Sequence, residues 1–552
     1  MKFLNDISDA IGVPEPILRL LSTILFAYPL ALVYRFVFLR PIETKWAPFI
    51  RNLYIVIVGL GLNYYYNKSD MIHSFSTTVL TWFFCYFGDI IGNRKISVIL
   101  TFTFHLGYLS WGYYITKKDD YDVGWTMTQC VLCLRMIGFS MDFWDGEKLK
   151  LSNSSSNTTK TLNKDNSTAT TTAFTKTTTT TTTATTATTT KTASNPPTTN
   201  SSEKNQISNL PKQPISFERN IQLIKLPSLF ETIGYAHFFG AFLIGPQFSF
   251  HLYRKFLTAS VFPINKIPSG SYRAALKSLT LGALYLGAYQ IGAAYFPIEY
   301  LITKEYAANP FYQRLIIMWF TGKFAFTKYL GIWTIAEGSC ILSGISFNNY
   351  NNEGKAEWNG LANVDKWKFE FATSLSQIVV SFNTNTNFWT KTYIFKRLMF
   401  LGNKNLSSIF SLIFLAVWHG LHSGYYFCFS LEFFDMEAEK RWAKRFEKYT
   451  KPLYSLENKN NPRITYLRYL HQFICWIGQT CALHYAMISF QLLQYERCLI
   501  AYNSVYWIGH LTVFSCIFLD IILPKSKSKV MVENNNINIK TNGDLVHSKK
   551  EN

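Results

Sequence analysis

The sequence predicts an all-α, polytopic membrane protein of about 9–12 transmembrane or re-entrant helices, with a disordered Thr/Asn-rich loop. Three observations predict it. Hydrophobic residues fill 48% of the 552 positions and aromatic residues 17%, while only 16% are charged, against roughly a quarter in soluble domains. The apolar residues gather in long uncharged runs. Those runs are continuous and so lack the alternation of a membrane β-barrel. The same features exclude a secreted disulfide scaffold, a coiled coil and a soluble multidomain enzyme.

In chain order, the opening MKFLNDISDAIG carries two acids and no long apolar stretch, so no cleavable signal peptide is expected. The first apolar run extends from Pro16 to Phe38, and further runs cover 51–66, 75–92, 95–116 and 124–141. These make residues 1–149 an N-terminal set of membrane helices. Residues 150–215 are rich in Thr, Ser and Asn and nearly devoid of large apolar side chains. Such a segment cannot bury enough surface to offset its ordering entropy, so a disordered loop is expected. Its sequons at Asn153, Asn157, Asn166 and Asn200 matter only on a lumenal loop.

A second set of runs, 230–250, 274–299, 313–336, 371–390, 408–429, 468–495 and 503–523, defines a membrane core over 216–524. Some of these runs can be re-entrant or interfacial. The polar tail 525–552 reads as disordered. Its Lys549 and Lys550 resemble a dilysine retrieval signal, which implies the endoplasmic reticulum membrane and a cytosolic C-terminus.

The formal net charge is +20. In this setting it points to basic loops held in the cytosol, not to nucleic acid. Lys440, Arg441, Lys444, Arg445, Lys448 and Lys451 put 430–467 on the cytosolic side. Simple parity then gives a lumenal placement to Lys391, Lys396, Arg397 and Lys404, so an interfacial helix or a re-entrant neighbour is expected there. Cys130 and Cys133 form a C-x-x-C pair with no second pair or His cluster nearby, which favours core packing over metal or redox chemistry.

The run from Ser408 to Phe429 holds 22 residues without Asp, Glu, Lys or Arg, and His419 is its twelfth. An ionisable group at mid-span is a functional candidate, although a His hydrogen-bonded inside the bundle is the equal alternative. His422 follows three residues later, near the same face of one helix. A metal centre lacks further ligands at suitable spacing. The run from Phe371 to Thr390 ends in SFNTNTNFWT, where Asn383, Asn385 and Asn387 alternate. These amides can satisfy broken helix ends beside a cavity or face a substrate. Asn383 and His419 are 36 residues apart, roughly 54 Å along one straight helix. They meet only if the chain turns back, and GNK at 402–404 allows that turn. No G-x-S-x-G elbow, P-loop or H-x-x-x-x-D motif is present.

FNTNTNFW, YIFKRL and WHGLHSGYY together resemble the membrane-bound O-acyltransferase family, and within it the lysophospholipid acyltransferases, most closely the lysophosphatidylcholine acyltransferase branch. LCLRMIGFSMDFWDG at 132–146, GAFLIGPQFSF at 240–250 and AEGSCILSGISFN at 336–348 extend the resemblance. It covers nearly the whole chain except 150–215 and the extreme tail. One departure is Phe382, where many members carry Trp before the Asn.

The resemblance implies that His419 and Asn383 are the catalytic pair. It also gathers His422, Trp389, Trp418, Glu337 and Asp142 around the substrate. For Asp142, Asp145 and Glu337 a buried hydrogen-bonding role is the alternative, and for His422 a packing role.

The implied reaction moves an acyl group from acyl-CoA to the free sn-2 hydroxyl of a lysophospholipid, lysophosphatidylcholine or a related lysolipid. The thioester is already activated, so a base, positioning and oxyanion stabilisation suffice. His419 would be the base, and Asn383 would orient the hydroxyl or the thioester carbonyl. No metal or other cofactor is expected beyond acyl-CoA as cosubstrate. The expected partners are acyl-CoA, lysophospholipids and the bilayer, with no nucleic acid; a homo-oligomer stays open. The alternatives are another acceptor of the same family (diacylglycerol, a sterol or a protein) and, from a different class, a transporter using His419 as a proton relay.

Overall fold

The computed structural model describes residues 2–11, 13–39, 45–116, 124–167, 221–262, 267–458 and 460–524. Among these residues every regular element is a helix, and extended pairing is limited to two isolated bridges. The first group comprises α1 (Lys2–Ile11), α2 (Glu15–Val33), α3 (Ala47–Asn67), α4 (Met71–Ile90), α5 (Arg94–Ile115) and α6 (Trp125–Ser167). Next come α7 (Leu229–Ala236), α8 (Phe250–Leu257), α9 (Ser271–Tyr295), α10 (Lys304–Ala308) and α11 (Phe311–Ser343). The last group is α12 (Lys366–Glu370), α13 (Leu375–Ser381), α14 (Thr384–Thr390), α15 (Lys404–His419), α16 (Ser423–Thr450), α17 (Pro462–Leu492), α18 (Tyr495–Ser504) and α19 (Ile508–Ile522).

Among the described residues, Glu15–Phe38 and Pro462–Leu492 are long and apolar enough to cross a membrane. The pair α18 and α19, bent by 79°, forms a broken third. Other helices reach a crossing length but mix hydroxyl and amide residues into the run. α4 shows where these go. Its Thr77, Thr78 and Thr81 are buried, while Phe83, Phe87 and Ile90 are exposed. Thr81 pairs with His105 Nε2 on α5 at 2.6 Å, and Gln129 Nε2 on α6 donates to Thr77 Oγ1 at 3.2 Å. Asn63 on α3 donates to Ser74 Oγ at 2.9 Å. Polar groups face inward in pairs and apolar groups face outward, as expected for helices solvated by lipid.

Several expected spans are broken, among them 230–250 and 408–429. In 230–250 the chain leaves α7 and winds around the buried Arg135 of α6. That guanidinium donates to the carbonyls of Tyr235, Ala236, Ala241 and Pro246 at 3.0–3.2 Å. Irregular backbone at membrane depth is tolerated when its carbonyls find such donors. The run 408–429, expected as one crossing, divides at Gly420–Leu421–His422 into α15 and α16. Gly420 has φ +142°, a region that favours glycine. His419 therefore ends a helix, and His422 is the N-cap of the next one, not a neighbour on the same helical face.

α6 continues to Ser167, past the boundary expected at 149. The remainder of the Thr/Asn-rich segment lies outside the described residues, as does the tail with Lys549 and Lys550. Close approach joins α9 to α11: a Cβ on Gly282 would lie 2.5 Å from Ile335 Cγ1, and one on Gly292 would lie 2.1 Å from the Phe324 ring. Only small residues permit that spacing.

Candidate active site

α13 and α14 are two halves of one interrupted helix. The break falls at Phe382, which is extended, and Asn383, which is left-handed at φ 47°, ψ 44°. Asn tolerates this conformation better than most residues. Carbonyls orphaned by the break are recovered by Asn387, whose Nδ2 donates to Val379 O and Phe382 O, both at 2.9 Å. Asn385 is fully buried and donates to the carbonyls of Leu361 and Ala362 at 3.3 Å. These two amides hold the broken helix.

Asn383 behaves differently. The backbone N–H of Asn385 donates to Asn363 Oδ1 at 3.2 Å, which fixes that oxygen as the acceptor. Asn363 Nδ2 is then the donor to Asn383 Oδ1, at 3.1 Å. The Asn383 carbonyl is thereby occupied, and its NH₂ remains a donor at the cavity it lines.

After α14 the chain passes through a π-turn at Lys391–Phe395 and a 3₁₀ turn at Lys396–Leu401, then reverses at Gly402. Asn403 caps α15 by accepting from Asn405 N and Leu406 N. α15 returns alongside and ends at His419. Asn383 and His419 consequently line one cavity of about 160 Å³. Its walls are mostly apolar and aromatic, among them Phe326, Tyr329, Trp333, Leu415, Met487 and Phe490. The His419 ring is held by aromatic neighbours, with centroids 5.1 Å from Phe490, 5.6 Å from Phe429 and 5.7 Å from Tyr425.

Two further cavity residues, Glu432 and Asp435, went unnoticed in the sequence. They sit one turn apart on α16 and bring carboxyl groups into a mostly apolar chamber. Their signal is the i, i+3 acid pair in FSLEFFD, which falls just beyond the uncharged run that ends at Phe429. Glu439, a further turn along, accepts from Leu375 N at 2.7 Å and so ties α16 to the start of α13.

The remaining candidates lie outside the cavity lining. Trp389 is buried and stacks on Phe414 at 5.6 Å. Trp418 donates through Nε1 to Cys130 O at 2.9 Å, and its own carbonyl accepts from Tyr113 OH at 2.9 Å. Those bonds anchor the residue before His419 to α5 and α6. Asp142 accepts from Tyr393 OH at 2.7 Å, and Asp145 pairs with Arg397 at 2.6 Å. Together these acids lock α6 onto the segment that follows α14. Glu337 is buried and pairs with Lys366 at 3.5 Å. His422 stands at the N-cap position of α16, without a side-chain capping bond, beside Tyr425, with ring centroids 6.2 Å apart.

A base and an amide donor facing one apolar chamber can activate a hydroxyl and stabilise a developing oxyanion. Among the described residues no group of three or more His, Cys, Asp or Glu is placed to hold a metal ion.

The profile of the membrane-bound O-acyltransferase family matches residues 110–488. The chain is 33% identical over 521 residues to lysophospholipid acyltransferase 5 of Homo sapiens, covering 94% of this chain and 91% of that protein. It is 30% identical over 511 residues to lysophospholipid acyltransferase 5 of Drosophila melanogaster, covering 92% and 87%. Similarity extends to the lysophospholipid acyltransferase of Schizosaccharomyces pombe, 24% identical over 559 residues and covering 98% and 94%.

Proposed function

The chain belongs to the membrane-bound O-acyltransferase family, and from that premise we propose that it is a lysophospholipid acyltransferase. It moves an acyl group from acyl-CoA to the free sn-2 hydroxyl of lysophosphatidylcholine or a related lysolipid. The observation that carries this reading is the meeting of Asn383 and His419 in one apolar chamber. The similarity to lysophospholipid acyltransferases over nearly the whole chain supports the acceptor class.

In this reaction neutral His419 takes the proton of the lysolipid hydroxyl. The hydroxyl oxygen bonds to the thioester carbonyl carbon, and the carbonyl becomes an oxyanion. The NH₂ of Asn383 donates to that oxyanion. The intermediate collapses, the C–S bond breaks, and the CoA sulfur takes up the proton from His419. The products are a diacyl phospholipid and free CoA. The aromatic and aliphatic walls solvate the acyl chain and exclude water that would hydrolyse the thioester. No cofactor has a part in this scheme.

Lys444, Arg445 and Lys448 in the last turns of α16, with Lys451 just after it, support a cytosolic position for the connection to α17. One crossing by α17 and a return by the bent α18–α19 pair then carry the C-terminal segment to the cytosol. The endoplasmic reticulum is the proposed membrane, and replacing Lys549 and Lys550 by serine tests it through loss of retention.

The function is tested with the full-length protein in detergent, supplied with acyl-CoA and competing lysophospholipids, diacylglycerol and a sterol. Product from the lysophospholipids is expected. Product from diacylglycerol or the sterol alone would move the chain to another acceptor within the family, and the absence of compartments removes transport from the outcome.

A further inference from the structure

α16 turns one stripe toward the catalytic chamber, made of Cys428, Phe429, Glu432, Asp435 and Met436. Residues at this spacing share one face of a helix. Phe429 fixes the inner end of the stripe, because its ring stacks on His419 with centroids 5.6 Å apart. Glu432 follows Phe429 by nearly one helical turn and Asp435 by nearly two, about 4.5 and 9 Å along the axis. His419 and both acids line the same cavity.

These acids differ from the next two on the helix. Glu437 pairs with Lys440 at 3.0 Å, and Glu439 accepts from Leu375 N at 2.7 Å. Among the described residues, Glu432 and Asp435 have neither an ion pair nor a hydrogen bond. No described Lys or Arg lines the chamber beside them. Glu432 lies deep in the protein, and the space beside its side chain is the chamber. A buried acid without a counter-charge is costly to the fold. A ligand that brings a cation into the chamber offsets that cost.

Of the two substrates of the proposed reaction, acyl-CoA is anionic and cannot supply the cation. An acceptor lysophospholipid with an ammonium headgroup can. We propose that Glu432 and Asp435 receive the ammonium group of the acceptor and so select zwitterionic lysophospholipids over those with a polyol headgroup. The inference rests on the acyl-transfer reading above and names the residues that choose its acceptor.

The dimensions agree. In such a lipid the free hydroxyl and the ammonium are the two ends of a short glycerophosphate arm, whose reach is that of one to two helical turns. With the hydroxyl at His419, the ammonium falls beside Glu432 and Asp435, and the arm stays within one cavity. Tyr329 and Trp333 also line that cavity, and a quaternary cation is drawn to aromatic faces. A headgroup that carries no cation leaves the acids unpaired and brings its phosphate toward them with nothing to balance the repulsion.

The test uses full-length protein in membranes and measures transfer to lysophosphatidylcholine and to lysophosphatidylglycerol by wild type, Glu432→Gln and Asp435→Asn. Wild type is expected to prefer lysophosphatidylcholine. Each variant is expected to raise KM for lysophosphatidylcholine about tenfold, with KM for acyl-CoA moved by less than about twofold. The ratio of kcat/KM between the two lysolipids should fall by about tenfold. That ratio is taken within one variant, so it does not depend on how much of the variant folds.

A ratio unmoved in both variants overturns the assignment, and so does a wild type with no preference between the two lysolipids. A fall in kcat equal for both lysolipids, with KM unchanged, would place the acids in the chemical step and not in acceptor choice. A rise confined to KM for acyl-CoA would give them to the other substrate. A wild type that acylates no lysophospholipid overturns the function reading and this inference with it; an active wild type with unmoved variants overturns the inference alone.

Discussion

Asn363 Nδ2 donates to Asn383 Oδ1 at 3.1 Å, and through this bond a residue 20 positions upstream sets the direction of the amide that faces His419 across the chamber. The orientation descends from a backbone donor, Asn385 N, that can point only one way. Asn383→Ala is therefore expected to lower kcat by about 10²–10³-fold with little change in KM, the usual cost of losing one oxyanion donor. Asn363→Leu keeps the Asn383 amide but frees it to rotate, and a smaller loss of about tenfold is expected. Steady-state acyl transfer with both variants measures the two effects.

Gly420→Ala probes the break after His419. The φ of +142° is strained for any residue with a side chain, and a Cβ there would meet Tyr425 Cε2 at 3.0 Å. A cost of about 1–3 kcal/mol is expected, either as a lower thermal midpoint or as a displaced imidazole with reduced kcat. Unchanged stability and activity together would contradict the role given to this glycine.

The link between α6 and the Asn383 segment is expected to be structural. Tyr393→Phe leaves Asp142 buried without its donor. A loss of about 1–3 kcal/mol is expected, the cost of leaving a buried polar group unpaired. Thermal unfolding in detergent should register it, while KM for acyl-CoA and lysolipid stays near wild type. A selective rise in KM at unchanged stability would return Asp142 to the substrate site.

Arg135→Met removes the donor shared by four carbonyls of the segment after α7. Each buried carbonyl left without its donor costs about 1–3 kcal/mol, so greatly reduced folded protein in membranes is expected. Normal yield of the variant would show that the segment holds its shape by other means.

The helical class and the approximate position of most helices were legible because long apolar runs impose them. The family resemblance named Asn383 and His419 as a pair, while residue types and the GNK reversal by themselves only allowed the two to meet. What the runs hid were the breaks within them. Composition cannot distinguish the continuous 408–429 of the expectation from the α15–Gly420–α16 of the fold, because glycine is permitted in both. That one break moved His422 off the face of His419 and concealed Glu432 and Asp435. Trp389, Trp418, Asp142 and Glu337 share the composition of a substrate wall, yet their partners are other helices. Which face a buried residue presents depends on neighbours distant in sequence, as between Tyr393 and Asp142, 251 positions apart.

The most direct test of the account is acyl transfer from acyl-CoA to a panel of lysophospholipids by membranes containing equal amounts of wild type or His419→Ala. The account predicts diacyl phospholipid from the wild type and a loss of about 10²–10⁴-fold in the variant, the range for removing a general base, with an unchanged thermal midpoint. Full activity from a normally expressed His419→Ala protein would contradict the assignment of His419 as the base.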